Sequence, residues 1–191
     1  MFSSKDAGCQ GSLATLKRRE FMRFGAGAAA TLMACPVFAK ISTRQERSLS
    51  FYHTHTSETT STLYWAEGEY LESGLQEINS ILRDHRSGEI YSMDSRLLDL
   101  LYVLQSQVES KKTYQIISGY RSPATNASLR NKSSGVARRS YHMQGKAIDV
   151  RLPGCDLKQL HSAALALKSG GVGYYPGSDF IHVDVGPVRR W

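Results

Sequence analysis

This 191-residue chain has little material for covalent cross-linking: of its three cysteines, Cys9 and Cys35 lie in the N-terminal segment and only Cys155 falls in the body. One thiol closes no internal disulfide, so the fold must rest on its core. Repeats and low-complexity tracts are also missing, which excludes solenoid and fibrous architectures. There is no apolar run long enough to span a bilayer; residues 24–34 are weakly apolar and too short, so no permanent membrane span is expected. Charge of one sign is scarce as well. The formal net charge is +7, but residues 1–39 hold five Lys/Arg and two Asp/Glu, which leaves +4 for the rest. Such an excess, with no basic stripe interleaved with aromatics, argues against nucleic acid as a partner. It suits an anionic polymer equally well. What is present is 41% apolar residues, enough for one domain with a proper core.

The N-terminus carries a targeting pattern. Lys17-Arg18-Arg19-Glu20-Phe21-Met22-Arg23 precedes the short apolar stretch, and Val37-Phe38-Ala39 supplies small residues at the positions a signal peptidase reads. The Arg18-Arg19 pair with Phe21 resembles a twin-arginine export signal, which implies the twin-arginine machinery as a partner and a periplasmic destination. Cleavage after Ala39 is expected. Leu32-Met33-Ala34-Cys35 offers the alternative of a lipidated Cys35. The expected organisation is a signal peptide over 1–39, a flexible leader over 40–47 and one domain over 48–191.

Within that domain, Ser48-Leu49-Ser50-Phe51-Tyr52 and Ser61-Thr62-Leu63-Tyr64-Trp65 read as a hairpin. From about Leu71 to His85, apolar Leu75, Ile78, Ile81 and Leu82 recur at helical spacing. Asp94 is a candidate cap for a second helix whose apolar face includes Leu97, Leu101 and Leu104. Strands are expected at 114–118, 147–152, 170–175 and 180–185, with a short helix over 125–130 and an amphipathic one over 156–168. That order predicts an α+β fold, with helices packed on one face of a mainly antiparallel sheet.

The chemistry-bearing residues fall on that sheet. His142 and Asp149 flank the start of one strand, and His182 alternates with Asp184 on another, which puts the latter two on one face. Two histidines and a carboxylate are the ligand set of a catalytic zinc site with an open fourth position. Hydrolysis at such a site also needs a carboxylate off the metal to move a proton. Asp184 is one candidate and Asp179, three residues before His182, is the other. His53 and His55 alternate on a strand, but two ligands without a third make no zinc site.

Wording, beyond residue type, sharpens this. Ser140-Tyr141-His142-Met143-Gln144-Gly145-Lys146-Ala147-Ile148-Asp149 resembles the S-x-H-x-x-G-x-A-x-D signature of the zinc peptidases grouped with D-alanyl-D-alanine carboxypeptidases, murein endopeptidases and the hedgehog fold. Ser118-Gly119-Tyr120-Arg121-Ser122 resembles their arginine-bearing motif. The stretch from Val172-Gly173-Tyr174-Tyr175-Pro176 through His182-Val183-Asp184-Val185-Gly186-Pro187 to Arg189-Arg190-Trp191 is similar to the murein endopeptidase K branch. The resemblance implies a single Zn2+ held on the sheet by His142, Asp149 and His182. It implies Arg121 as the group that polarises the substrate carbonyl, and peptidoglycan peptide cross-links as substrate, with a preference for 3→3 links. Ser140 and Tyr174 are the candidate substrate contacts. Reading His182-x-Asp184 as a ligand pair would instead put Asp184 on the metal. A non-catalytic peptidoglycan-binding module on the same fold is the alternative function, and a metal-stabilised structural or signalling protein is another.

Overall fold

Alternation of apolar and polar residues sets the frame of the domain. A computed structural model describes residues 46–133 and 135–191; the signal peptide and most of the leader lie outside the described residues. β1 (Arg47–His53) buries Leu49, Phe51 and His53 at every second position, and β2 (Thr59–Ala66) pairs with it antiparallel as the expected hairpin. A two-residue β3 (Glu69–Tyr70) follows, then α1 (Glu72–Ile81) and α2 (Ser95–Gln107). Asp94 caps α2, its carboxylate accepting from the Arg96 N–H. β4 (Tyr114–Ser118) leads into α3 (Pro123–Lys132), capped by Ser122 with proline at its start. After a single 3-10 turn at Tyr141–Gln144 come β5 (Ala147–Arg151), α4 (Leu157–Leu167), β6 (Gly171–Tyr175), β7 (Phe180–Asp184) and the short β8 (Arg189–Arg190).

The strands form one sheet in the order β3-β2-β1-β4-β5-β7-β6-β8. The expected α+β class stands, but the sheet is mixed, because β1 pairs with β4 and β6 pairs with β8 in parallel. Parallel neighbours need long crossovers. Here α1 and α2 make the β1-to-β4 crossover, and β7 with its following turn separates β6 from β8. Local sequence patterns carry no record of such non-local pairings.

α2 and α4 pack against each other and against β1, β6 and β7. Between them and the sheet lie the fully buried Phe51, Leu97, Leu101, Leu104, Ile116, Ile148, Ile181 and Val183. Ile181 and Val183 alternate with His182 and Asp184 on β7, so burying the first pair turns the second pair to the opposite face. Burial of apolar side chains beneath the helices thereby fixes which face carries the chemistry. Cys155 is a free thiol packed at the edge of this core.

Candidate metal centre

Register brings the site together. Asp149 on β5 lies directly opposite His182 on β7; His182 lies opposite Gly173 on β6, and Asp149 opposite Ser118 on β4. One row across four strands therefore reads Ser118, Asp149, His182, Gly173. A register irregularity between Ile116 and Ser118 turns Ser118 toward the row. His142 arrives from outside the sheet on the 3-10 turn. Ser140 caps that turn, its hydroxyl accepting from the His142 N–H at 3.3 Å, and Gly145 closes it in the left-handed region at φ 64°. A side chain at Gly145 would also run into the Ser92 carbonyl, so this position requires glycine twice over.

The imidazole tautomers follow from their partners. His142 Nδ1 lies 2.7 Å from the Gly119 carbonyl oxygen, which can only accept, so Nδ1 carries the proton and Nε2 is a lone pair. His182 Nε2 lies 3.1 Å from Asp184 Oδ2 and donates to that carboxylate, leaving Nδ1 as its lone pair. Both lone pairs point at Asp149 Oδ1. The three donor atoms are separated by 3.2 Å (His142 to His182), 3.3 Å (His142 to Asp149) and 2.8 Å (His182 to Asp149). Donors bound to one tetrahedral zinc at about 2.0–2.1 Å lie roughly 3.3 Å apart. The donor set and its spacing fit a single divalent cation. Among the described residues this is the one group of three metal-donor side chains whose donor atoms converge.

Electrostatics act in the same direction. Burial pushes the Asp149 carboxyl up, but His142 and His182 beside it outweigh that and hold it well below the usual carboxylate range. Burial opposes charge on His182, yet the Asp149 and Asp184 carboxylates raise it overall. The site is built to hold positive charge between two carboxylates.

Asp184 is wholly buried and saturated. Its Oδ1 accepts from the Gly171 and Gly186 backbone N–H groups and from Arg189, and its Oδ2 accepts from His182 and Arg189. Burial would raise this carboxyl, but those partners hold it far below its ordinary value. It sits behind His182, on the ring nitrogen away from the donor cluster, and does not line the cleft, the position of a carboxylate that orients a histidine ligand. Asp179, in the turn between β6 and β7, is 65% exposed and paired to Arg151 at 3.0 Å. Arg121 is brought to the site: its guanidinium lies 3.7 Å from Asp149, donates to Ser118 and Asn126, and keeps a buried Nε without a protein partner. Burial lowers Arg121 from its ordinary value against the pull of Asp149.

A cleft of about 660 Å³ opens over this cluster. Ser140 and Arg121 line it as expected. Tyr174 does not. In register with Ile181, it lies on the helix-bearing face and stacks on His161 of α4 at 4.7 Å. Its neighbour Tyr175 lines the cleft instead, with Phe180 opposite it and Trp191 beside it. The strand period already contained that distinction, because residue 175 shares a face with residue 173 and therefore with His182. Asp84, also unforeseen, holds the arginine loop: its buried carboxylate accepts from the Ser122 and Arg86 N–H groups at 2.9 and 3.0 Å. No motif marks it, since it acts through backbone 38 residues away. His53 and His55 are joined by His85, which stacks on His55 at 4.2 Å, but their donor atoms do not converge.

A mixed sheet that presents two imidazoles and one carboxylate at ion-binding spacing, at the floor of an open cleft, is the arrangement of a protein that could hold a metal ion there. Comparison with known proteins narrows the class. The family described as peptidoglycan L,D-endopeptidase MepK matches residues 41–191, and the chain belongs to that family. Peptidoglycan L,D-endopeptidase MepK of Escherichia coli is 41% identical over 175 residues, covering 91% of this chain and 96% of the relative. The Shigella flexneri protein of the same name matches to the same extent. The probable peptidoglycan L,D-endopeptidase MepK of Haemophilus influenzae is 38% identical over 176 residues, 92% of this chain and 95% of its own. No solved structure matches the chain.

Proposed function

We propose that this protein is an exported zinc peptidase that hydrolyses peptide cross-links in peptidoglycan, acting in the periplasm. The observation that carries the reading is the convergence of His142 Nε2, Asp149 Oδ1 and His182 Nδ1 within 3.3 Å of one another in a cleft. Relatives named as peptidoglycan L,D-endopeptidases at about 40% identity support the substrate and a 3→3 preference. Export by the twin-arginine route rests on Arg18-Arg19 and Phe21, with removal after Ala39. Zinc is favoured over other divalent ions by the two-imidazole, one-carboxylate donor set.

Zinc bound by these three residues would supply a Lewis acid and a water of near-neutral pKa. The protein's own groups do the rest. Arg121, with its unpartnered buried Nε, is the donor suited to hold the scissile carbonyl oxygen as negative charge grows on it. Asp184 fixes the His182 tautomer and leaves no lone pair for a proton from the cleft. Asp179, three residues before His182, lies outside the cleft lining and would have to leave Arg151 and turn toward the metal to take the proton of the attacking water. From there it would pass that proton to the departing amine. Ser140 lines the cleft and is a neutral group that could donate to a substrate carbonyl or carboxylate while accepting from the His142 N–H.

The test is incubation of the purified protein with cross-linked muropeptide dimers, with products read by mass spectrometry. Monomers whose masses place the cut at the cross-link support the reading. Intact dimers beside stoichiometric bound zinc would contradict it and favour a binding module.

A further inference from the structure

We propose that Trp191 is a substrate-contacting residue, its indole forming a preset platform on which an aliphatic stretch of the cross-linked peptide lies next to the metal centre. The inference rests on the peptidoglycan reading and adds to it a determinant of substrate binding.

The backbone of Trp191 is zipped onto β6: its N–H donates to the Val172 carbonyl at 3.3 Å and its carbonyl accepts from the Tyr174 N–H at 3.1 Å. This residue is therefore part of the sheet, and its side chain has a fixed origin. The indole lies on Gly173. A Cβ there would sit 2.7–2.9 Å from indole Cε2, Nε1 and Cζ2, closer than real Cβ atoms approach anything. Since Gly173 faces His182 in register, the missing side chain is what lets an aromatic ring stand 5.2 Å from the ring of a metal-donor histidine. The indole Nε1 donates to the Tyr175 hydroxyl at 2.7 Å, and the Arg189 guanidinium sits 5.1 Å from the ring. Four separate contacts thus hold one orientation.

Trp191 nevertheless remains 50% exposed and lines the cleft. A large apolar ring immobilised on one side and open to water on the other is a preorganised contact surface. It makes no hydrogen bond to His182, whose ring is already oriented by Asp184, itself held by Arg189. A purely structural role at the metal is therefore unneeded. The charges around the cleft define the complementary ligand. Arg121, Arg139 and Arg189 line it, Arg189 already paired to Asp184, and among the described lining residues Asp149 is the one acidic side chain. Carboxylates of a peptide go to the arginines, and the aliphatic segment between them lies on the indole.

Steady-state cleavage of muropeptide dimers by wild type, Trp191→Ala, Trp191→Phe and Tyr175→Phe, with zinc content measured for each, tests this. Trp191→Ala is expected to raise KM about tenfold with kcat within about twofold and zinc unchanged; Trp191→Phe and Tyr175→Phe raise KM by about threefold. A second readout is tryptophan emission of the zinc-loaded Asp179→Asn protein titrated with dimer. The signal should change in that protein and be lost when Trp191→Phe is added, because the other tryptophan, Trp65, lies in the N-terminal hairpin. An unchanged KM in Trp191→Ala, or loss of zinc together with kcat, overturns the platform. If the wild type does not cut muropeptides, the peptidoglycan reading fails. In that case an emission signal insensitive to added dimer also sinks the platform, while a saturable change keeps it as a binding surface.

Discussion

Asp179 and Asp184 stand five positions apart, and sequence pattern alone makes them equal candidates for one proton. Their surroundings separate them. Asp184 spends both oxygens on His182, Arg189 and two backbone N–H groups. Asp184→Asn is therefore expected to weaken zinc affinity, by roughly 10–100-fold, because His182 loses its orienting partner. Asp179→Asn should retain zinc and lose kcat by about 10²-fold or more, as removal of a general base does. Metal titration of the two variants beside their turnover rates checks both. Asp84 supplies a third expectation, on stability. Burial raises this carboxyl, but hydrogen bonds from Thr125, Ser122 and Arg86 outweigh it and hold it well below the carboxylate range. A group depressed in the folded state contributes stability above its unfolded value of about 3.9, and that contribution is lost as pH falls toward the folded value. Asp84→Asn should cost about 1–3 kcal/mol at pH 7. Urea midpoints measured at pH 7 and pH 3 should show the gap to wild type narrowing in acid.

At the scale of elements, the site depends on a turn that carries one histidine and a sheet that carries the other donors. Gly145→Ala forces a left-handed residue against the Ser92 carbonyl. The expected cost is about 1–3 kcal/mol, with a fall in zinc affinity because His142 rides on the same turn. Leu104→Ala, in the fully buried face of α2, should cost about 2–5 kcal/mol in thermal or urea unfolding and leave zinc affinity unchanged. The two variants separate damage to the site from damage to the core. Most of these elements were legible in the sequence. Helical spacing of Ile78 with Ile81, and of Leu97 with Leu101 and Leu104, located α1 and α2, and Asp94 and Asp156 marked helix starts. The hairpin and β4 to β7 followed from aromatic and β-branched runs. The mixed pairing was not legible, because β1 meets β4 and β6 meets β8 only after the chain has travelled far between them. β8 is two arginines long, and nothing local distinguishes it from a solvated tail. The role of Asp184 was hidden for the same reason: its saturating partner Arg189 is delivered by β8. Tyr174 faces the helices for a different reason: it pairs with Ile181, one step out of phase with His182.

For the whole molecule, a divalent ion that binds the folded state and not the unfolded chain adds stability by mass action. At a free zinc concentration of 100 times Kd the gain is about 2.7 kcal/mol. For a domain of this size each kcal/mol raises the melting temperature by roughly 2–4 °C, so chelation should lower it by on the order of 5–10 °C. Scanning calorimetry in zinc and in chelator reads this directly, and His142→Ala should show almost no difference between the two conditions. The central claim is that one metal ion held by His142, Asp149 and His182 makes this protein a peptidase of peptidoglycan cross-links. Its most direct test strips the protein with chelator, adds zinc back in fractions of an equivalent, and follows dimer cleavage at each step. The account predicts no cleavage in the stripped protein, a linear return to full activity that breaks at one equivalent, and no return in His142→Ala. Cleavage that survives stripping, or a protein that fills with one equivalent of zinc and leaves every dimer intact, would contradict it.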